Sequence, residues 1–212
     1  MKKLLISFFT VFLIGGYLTS CSNRAANIKN KIAPKELTDD QKDIVDLISD
    51  DKHQIFLYDF KTTELYRSVD FWVEIYVYGV FIGRPAGVTL ICEEEKLFDS
   101  QMAVRITENQ GFQWTFTVMD NGMKVSQTNS KQSFIVDDTF ARGCKSLEGP
   151  MDIQNGKEII LYTSIFSNMG VALYGDQQRY IGLYADQQCY IGCPELIKDY
   201  PYVQFIKCRF SK

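Results

Sequence analysis

Most of the chain alternates apolar and polar residues with a period of two, and this pattern constrains its fold more than any other feature. Nine such segments, rich in β-branched and aromatic residues, are separated by Gly, Asn, Asp or Pro. They are HQIFLYDF, SVDFWVEIYVYG, AGVTLICEE, QMAVRITEN, FQWTFTVMDNG, MKVSQTNS, SFIVDD, KEIILYTSIF and YVQFIKCRF. Because strand and helix do not alternate, the pattern predicts a mainly β protein, an antiparallel β-sandwich of about nine short strands.

Two details refine this prediction. Asn121-Gly122 is the strongest short hairpin signal in the chain, and it should join the strand of Trp114 to the next one. Trp72 and Trp114 both lie within strand segments, which predicts that they are core residues. The Cys-Trp-Cys order of immunoglobulin domains is not met, so the pattern predicts an architecture and not a superfamily.

The segment LTDDQKDIVDLISDD, before the first strand segment, predicts one short N-terminal helix. Thr38 and Gln41 have the spacing of a capping box, and two aspartates follow Thr38 in the first turn, where the helix dipole favours negative charge. An apolar stripe at helical spacing is formed by Ile44, Val45, Leu47 and Ile48.

The first residues of the chain have the composition of an export signal. Two lysines follow Met1, and residues 4–18 form a long uncharged, predominantly apolar run, LLISFFTVFLIGGYL. This run is shorter than the roughly 17–25 residues that a membrane-spanning helix needs. We therefore expect a cleaved signal rather than a permanent transmembrane segment.

The stretch LTSC at 18–21 resembles the lipobox of bacterial lipoprotein precursors, in which an aliphatic residue and two small residues precede a cysteine. The resemblance implies that Cys21 receives a diacylglyceryl thioether and becomes the mature N-terminus after cleavage behind Ser20. Two acyl chains on one residue are enough for stable anchoring. The alternative is an ordinary secretory signal with an incidental cysteine.

These features predict three regions and a location. Residues 1–20 are the lipoprotein signal peptide, 21–36 a flexible tether, and 37–212 a single β-rich domain. We expect the protein to be membrane-anchored through its lipid and extracytoplasmic, at the cell surface or a periplasmic face. The formal net charge of −3, without a basic cluster, argues against nucleic acid as a partner.

A tandem repeat interrupts the strand pattern: LYGDQQRYIG at 173–182 is followed directly by LYADQQCYIG at 183–192. Two copies are too few for a solenoid, so we expect an elongated loop or hairpin. Its tyrosines and glutamines are typical of recognition loops, and the alternation resembles the longer, tryptophan-containing repeats of cell-wall-binding proteins. The ligand-binding candidates are Tyr174, Tyr180, Tyr184 and Tyr190. The alternative is a tolerated insertion without a role.

Five cysteines follow Cys21, an odd number for an oxidising compartment, so at least one should be unpaired or bridge two chains. Cys92 and Cys208 should both point inward, as an inter-sheet disulfide or as two buried thiols. Cys189 and Cys193 lie four apart in CYIGC and could close a small disulfide loop. No further ligands accompany them, so we predict no metal site.

The search for catalytic motifs finds none. His53 is the only histidine, and neither a nucleophile motif nor a phosphate-binding glycine loop is present. We therefore predict no catalytic residue and no cofactor. The expected function is a lipid-anchored binding or interaction protein with a protein or glycan partner. The alternatives are a cell-envelope hydrolase using carboxylates and an accessory subunit of an envelope complex.

Overall fold

The computed structural model describes residues 30–50, 52–109, 111–129, 141–167, 197–198 and 200–212. This part of the chain forms twelve strands and one helix. In chain order they are β1 (Lys31–Pro34), α1 (Asp39–Ile48), β2 (His53–Lys61), β3 (Tyr66–Val77), β4 (Val80–Gly83), β5 (Gly87–Lys96), β6 (Asp99–Glu108), β7 (Phe112–Asp120), β8 (Met123–Thr128), β9 (Ala141–Ser146), β10 (Met151–Asp152), β11 (Glu158–Ser167) and β12 (Tyr202–Ser211).

The strands form two sheets with antiparallel pairing throughout. Sheet A has the order β10-β1-β2-β6-β7-β8. Sheet B has the order β4-β3-β12-β11-β9, and β5 pairs with β3 on the same side as β4. The predicted mainly β architecture with one short N-terminal helix is confirmed. Eight of the nine predicted segments are strands; the ninth, SFIVDD at 133–138, lies outside the described residues.

The core lies between the inner faces of the two sheets. Along β12 the even-numbered residues face inward, so Ile206, Cys208 and Phe210 are completely buried. Trp114 of sheet A is also completely buried and stacks on Phe112, with ring centroids 5.9 Å apart. Burying each large aromatic side chain contributes roughly 2–3 kcal/mol. Because inward- and outward-facing residues alternate along the strands of both sheets, the inward-facing side chains of the two sheets form one shared core.

The two ends of the sandwich have different features. We call the end at which β1 begins, beside the last residue of β2, the entry end. At the opposite end, the hairpin between β3 and β4 turns through Tyr78 and Gly79, both with positive φ. Its tip exposes four apolar side chains, those of Tyr78, Val80, Phe81 and Ile82. Both positive φ values indicate a type I′ turn, which suits the twist of paired strands.

The predicted tether at 21–36 is wrong over its last part, because β1 lies inside it. Residues Lys31–Pro34 pair with β2 on one side and β10 on the other, and Ile32 is completely buried. The four-residue segment KIAP is too short to show alternation and ends in proline. Only its neighbouring strands identify it as a strand.

The predicted turn and helix cap are confirmed. Asn121 and Gly122 have φ values of 46° and 81° and join β7 to β8. Thr38 Oγ1 accepts a hydrogen bond from the Gln41 amide, and Gln41 Oε1 accepts one from the Thr38 amide. The apolar stripe of α1, however, is not buried: Leu47 is 85% exposed. Within the described ranges, no helix has the length and apolar character to cross a bilayer.

Candidate functional site

The outer face of sheet B, turned away from the core, carries a concentration of charged and aromatic side chains. Alternation along β3 places every second residue on this face. The register of β12 sets its odd-numbered residues beside them, so that Arg209 pairs with Asp70 and Lys207 with Trp72. The residues that share this face are Asp70, Trp72, Glu74 and Tyr76 of β3, and Val203, Phe205, Lys207 and Arg209 of β12.

Glu74 is the centre of a buried hydrogen-bond network. Its carboxylate, on a residue only 3% exposed, accepts bonds from Trp72 Nε1 at 2.9 Å and the Tyr76 hydroxyl at 3.1 Å. The Arg84 guanidinium donates to it at 2.7 Å, and Lys207 Nζ lies 2.6 Å away. Burial raises the pKa of the carboxyl, but the bonds from Lys207, Trp72 and Arg84 outweigh it and hold the pKa below its ordinary value.

Glu158 of β11 completes the charge balance of this network. Lys207 Nζ donates to it at 3.1 Å, and Arg84 lies 3.8 Å from its other oxygen. The two carboxylates are thus matched by one ammonium and one guanidinium. A buried charge needs such matching, because an unpaired ion in the interior costs several kcal/mol. The network fixes the position of Arg84 and therefore belongs to the framework of the site.

Trp72 lies between this network and a groove, and two guanidinium groups lie over its ring. Arg84 Cζ is 4.7 Å from the ring centroid, and Arg209 Cζ is 5.6 Å from it. Both distances are those of cation–π contacts. Trp72 itself is only 5% exposed, whereas 47% of the Arg84 side chain and 38% of the Arg209 side chain reach solvent.

The groove beside Trp72 has a volume of about 560 Å³ and links the outer face of sheet B to the edge strand β8 of sheet A. The start of β5 contributes Gly87, and the end of β8 contributes Gln127, followed by Asn129. The Asn129 side-chain amide donates to the Pro85 carbonyl at 2.9 Å, which connects the two sheets at this edge. A Cβ on Gly87 would lie 2.8 Å from the Phe71 carbonyl oxygen, so the close passage of β5 requires glycine.

The polar groups of the groove are only partly satisfied. Arg209 Nη2 donates to Asp70 at 3.4 Å, and the other Asp70 oxygen accepts from Thr89 Oγ1 at 2.7 Å. Arg209 Nε and Asn129 Oδ1 are buried and have no hydrogen-bond partner within the described ranges. Each of these two atoms has less than 1 Å² of exposed surface, so both lie within the wall of the groove and not at its surface.

Most of the predicted site residues lie outside the described residues. These are Cys21, the four repeat tyrosines Tyr174, Tyr180, Tyr184 and Tyr190, and the pair Cys189 and Cys193. The lipid anchor, the repeat surface and the small disulfide loop stay predictions.

Of the two alternatives for Cys92 and Cys208, the disulfide is not formed, and both are free thiols. Cys208 is completely buried, as predicted, but β5 and β12 both flank β3 in sheet B. Two strand spacings put their backbones roughly 9–10 Å apart, beyond the about 7 Å that a disulfide tolerates. Burial also raises the pKa of the Cys208 thiol. The inter-sheet disulfide is ruled out because both strands belong to the same sheet, which leaves the alternative of two free thiols.

His53 opens β2, as predicted, and lies at the surface. Its Nδ1 is 2.8 Å from Asp50 Oδ1, and 46% of its side chain is exposed. This contact, with the Lys52 amide, lowers the pKa of Asp50. In the part of the chain that the structure describes, no group of three or more His, Cys, Asp or Glu side chains is arranged to hold a metal ion.

Sequence reasoning missed the groove, although one signal was present. Polar and aromatic residues occupy one face of the β3 segment, at Asp70, Trp72 and Glu74, where a two-sided core strand would be apolar. Lys207 and Arg209 show the same pattern in β12. Asp70 and Arg209 are 139 positions apart in the sequence, and only the pairing of these strands brings the two stripes together.

Comparison with known proteins identifies one family. The model of the YgaN domain family matches residues 31–172, about two thirds of the chain. The match begins at the first residue of β1 and ends immediately before the repeat at 173–192. No curated protein and no solved structure matches the chain.

Proposed function

The chain belongs to the YgaN domain family, and we propose that it is a lipid-anchored, extracytoplasmic binding protein whose ligand lies in the groove beside Trp72. One observation carries the proposal: a groove of about 560 Å³ is lined by the half-exposed arginines Arg84 and Arg209 together with polar side chains of Asp70, Thr89 and Gln127. A cleft of this size, in which a few polar groups converge, is the usual kind of place where a protein binds a ligand.

The chemistry of the groove favours binding over hydrolysis. A carboxylate hydrolase needs a carboxyl group whose pKa is raised, so that it can donate a proton near neutral pH. Glu74, the buried carboxyl beside the groove, has a lowered pKa and is held by four donor side chains. It supports the floor of the groove and carries no transferable proton.

The position of β1 is compatible with an anchor at Cys21. Cys21 and Asn30 are nine positions apart in the sequence, a distance that the chain spans with at most about 30 Å when fully extended. Since β1 begins at the entry end of the sandwich, this end faces the membrane in the proposed arrangement. β3 is roughly 40 Å long, so in this arrangement the hairpin of Tyr78 and Gly79, at the opposite end, lies away from the bilayer.

Site-specific photo-crosslinking tests the binding site. A photoreactive benzoylphenylalanine replaces Thr89 on the groove rim, or Ser126 on the other face of β8 as the matched control. After irradiation of intact cells, we expect a specific adduct from position 89 and none from 126. Equal labelling from both positions, or no adduct from 89, contradicts the groove as the binding site.

The repeat tyrosines form a second predicted contact surface, and a deletion separates it from the groove. A variant lacking residues 183–192 is irradiated with the photoreactive group at position 89. Retention of the adduct assigns binding to the groove alone, and its loss makes the repeat with Tyr184 and Tyr190 part of the contact.

Mass spectrometry of the membrane fraction tests the anchor. We expect mature protein that begins at Cys21 and carries a diacylglyceryl group, and Cys21→Ser should release the protein from membranes. An unmodified Cys21, or a mature chain that begins elsewhere, contradicts lipidation.

A further inference from the structure

We infer that the entry end of the sandwich is a membrane-contact surface, on which Leu65, Leu97 and Met123 enter the interfacial layer of the bilayer that holds the anchor. The inference rests on the proposed function, because it takes the lipid anchor at Cys21 as given and adds a second contact with the same membrane. The partner is the lipid surface itself, and the contact fixes how the domain stands on it.

Three connections bring an exposed apolar side chain to the entry end. Leu65 ends the link between β2 and β3, Leu97 begins the link between β5 and β6, and Met123 follows the turn between β7 and β8. Their exposed fractions are 49%, 52% and 66%. Because Tyr66 pairs with Lys96, Leu65 and Leu97 are the next residues of the two strands and lie beside each other. Contact with lipid removes such side chains from water, which is favourable.

Asp120 places Met123 beside the two leucines. It pairs with Met123 in the ladder of β7 and β8 and with Ser100 in the ladder of β6 and β7. Its carboxylate accepts a hydrogen bond from Lys96 Nζ, and Lys96 immediately precedes Leu97. The three apolar side chains therefore lie on adjoining connections, and both sheets contribute to the surface.

The lysines around these side chains are accompanied by carboxylates. Lys61 Nζ lies 2.5 Å from Asp99, and Lys212 Nζ lies 2.9 Å from Glu64. Glu64 and, more weakly, Glu95 raise the pKa of the Lys212 ammonium. The alkyl stem of a lysine covers apolar surface while its ammonium stays among the headgroups. Since charges of both signs are present, apolar contact and not attraction to anionic lipid supplies the binding.

The tether selects the bilayer as the partner of this surface. Asn30 precedes β1 at the entry end, where its side-chain amide donates to the Ile153 carbonyl at 2.6 Å. Cys21 lies nine positions before Asn30, at most about 30 Å away. An anchor at Cys21 thus keeps the three apolar side chains close to the membrane. Their effective concentration at its surface is then high, so a weak contact is sufficient.

Two other exposed apolar surfaces suit this bilayer less well. The hairpin tip with Phe81 and Ile82 lies roughly 40 Å from the entry end. A domain that stood upright on this tip would hold Asn30 beyond the reach of the tether. The exposed Leu47 lies on α1, whose ten residues include four aspartates. Transfer of ionised carboxylates from water into the interface is costly.

The contact orients the groove as well as the domain. Trp72 is six residues along β3 from Tyr66, so the groove lies roughly 20 Å above the inserted side chains when β3 is upright. Two acyl chains already provide stable anchoring. The apolar loops therefore determine orientation, and the acyl chains determine attachment.

Photo-crosslinking to lipid tests the surface. The acylated protein is purified and reconstituted into phosphatidylcholine vesicles, with benzoylphenylalanine in place of Leu97 or, as the matched control, Phe81. The two positions have exposed fractions of 52% and 51%. We expect a phospholipid adduct from position 97 that is about tenfold more abundant than from position 81. Equal yields, or a greater yield from position 81, overturn the inference.

Polar substitutions in the neighbouring loops give a second measurement. With the photoreactive group at position 97, Leu65→Ser combined with Met123→Ser should lower the adduct about tenfold, because two apolar contacts with lipid are lost. Val80→Ser combined with Ile82→Ser, a similarly exposed pair at the hairpin, is the control and should leave the yield unaltered. An unchanged adduct in the first double variant contradicts the contact.

The mass of the N-terminal peptide distinguishes failure of this inference from failure of the anchor. A diacylglyceryl group on Cys21 without an adduct at position 97 overturns the contact surface and keeps the anchor. With an unmodified Cys21 the anchor fails. An adduct at position 97 from that protein, mixed with the same vesicles, supports the contact independently, and its absence overturns both.

Discussion

Glu74 shows at the scale of one residue how the outer face of sheet B is held together. Its carboxylate pairs with Lys207 at 2.6 Å in a site where both residues are about 4% exposed or less. We expect Glu74→Gln to lower the free energy of unfolding by about 3 kcal/mol, because it removes one partner of a buried ion pair. Glu94→Gln, an exposed carboxylate on β5, should change it by less than about 0.5 kcal/mol.

The lowered pKa of Glu74 also sets a pH dependence. Because the carboxyl binds its proton less readily in the folded than in the unfolded chain, its stabilisation is complete above the ordinary value of 4.5. It is lost as the pH falls from there through the lowered pKa. Urea unfolding at pH 7, 5, 4 and 3 should show the difference between wild type and Glu74→Gln narrowing below pH 4.5. A constant difference contradicts an ionised Glu74.

Gly87 is a second residue whose identity the tertiary structure dictates. A Cβ at this position would lie 2.8 Å from the Phe71 carbonyl oxygen and 3.2 Å from Trp72 Cβ. We expect Gly87→Ala to cost about 1–3 kcal/mol, since backbone atoms would have to shift. Gly149→Ala is the matched control, because a methyl group added there would have no atom within 4 Å. Thermal unfolding of both variants checks the prediction. Equal melting midpoints for the two variants would contradict it.

At the scale of an element, α1 depends mainly on local interactions. It has a capping box but no buried residue. We therefore expect Thr38→Ala, which removes a cap of about 1 kcal/mol, to unravel the helix without lowering global stability appreciably. Hydrogen exchange of the α1 amides should accelerate while the urea midpoint stays within error. Glu36→Ala, outside the cap, is the control, and a large shift of the midpoint would show that α1 belongs to the cooperative core.

At the scale of the whole molecule, Arg142 joins the two sheets at the end opposite the entry end. Located on β9 of sheet B, it donates to Glu108 of β6 at 2.7 Å and to Gln54 of β2 at 3.2 Å, both in sheet A. Its side chain is 17% exposed. We expect Arg142→Ala to lower the free energy of unfolding by about 2–4 kcal/mol, against less than about 0.5 kcal/mol for the exposed Arg105→Ala. Similar urea midpoints for the two variants would contradict this role.

The elements were predictable where their signals are short-range. The strand segments, the Asn121-Gly122 turn and the Thr38 cap each depend on residues within a few positions of one another. Four strands, β1, β4, β9 and β10, were missed. β1, β4 and β10 have four residues or fewer, too few to show alternation, and β9 (ARGCKS) has no alternation of large apolar residues. The apolar stripe of α1 predicted the helix correctly, but the periodicity did not indicate whether the stripe is covered, and Leu47 is 85% exposed.

The sequence by itself determined that this chain is mainly β, where most of its strands lie and which of their residues alternate, because these properties arise from backbone conformation and side-chain period. Only the tertiary structure decided which strands are neighbours. Placing β3 between β5 and β12 separates Cys92 from Cys208 and brings Asp70 to Arg209 across 139 residues. Such pairings depend on long-range contacts that no local pattern encodes. The groove beside Trp72 exists only through them.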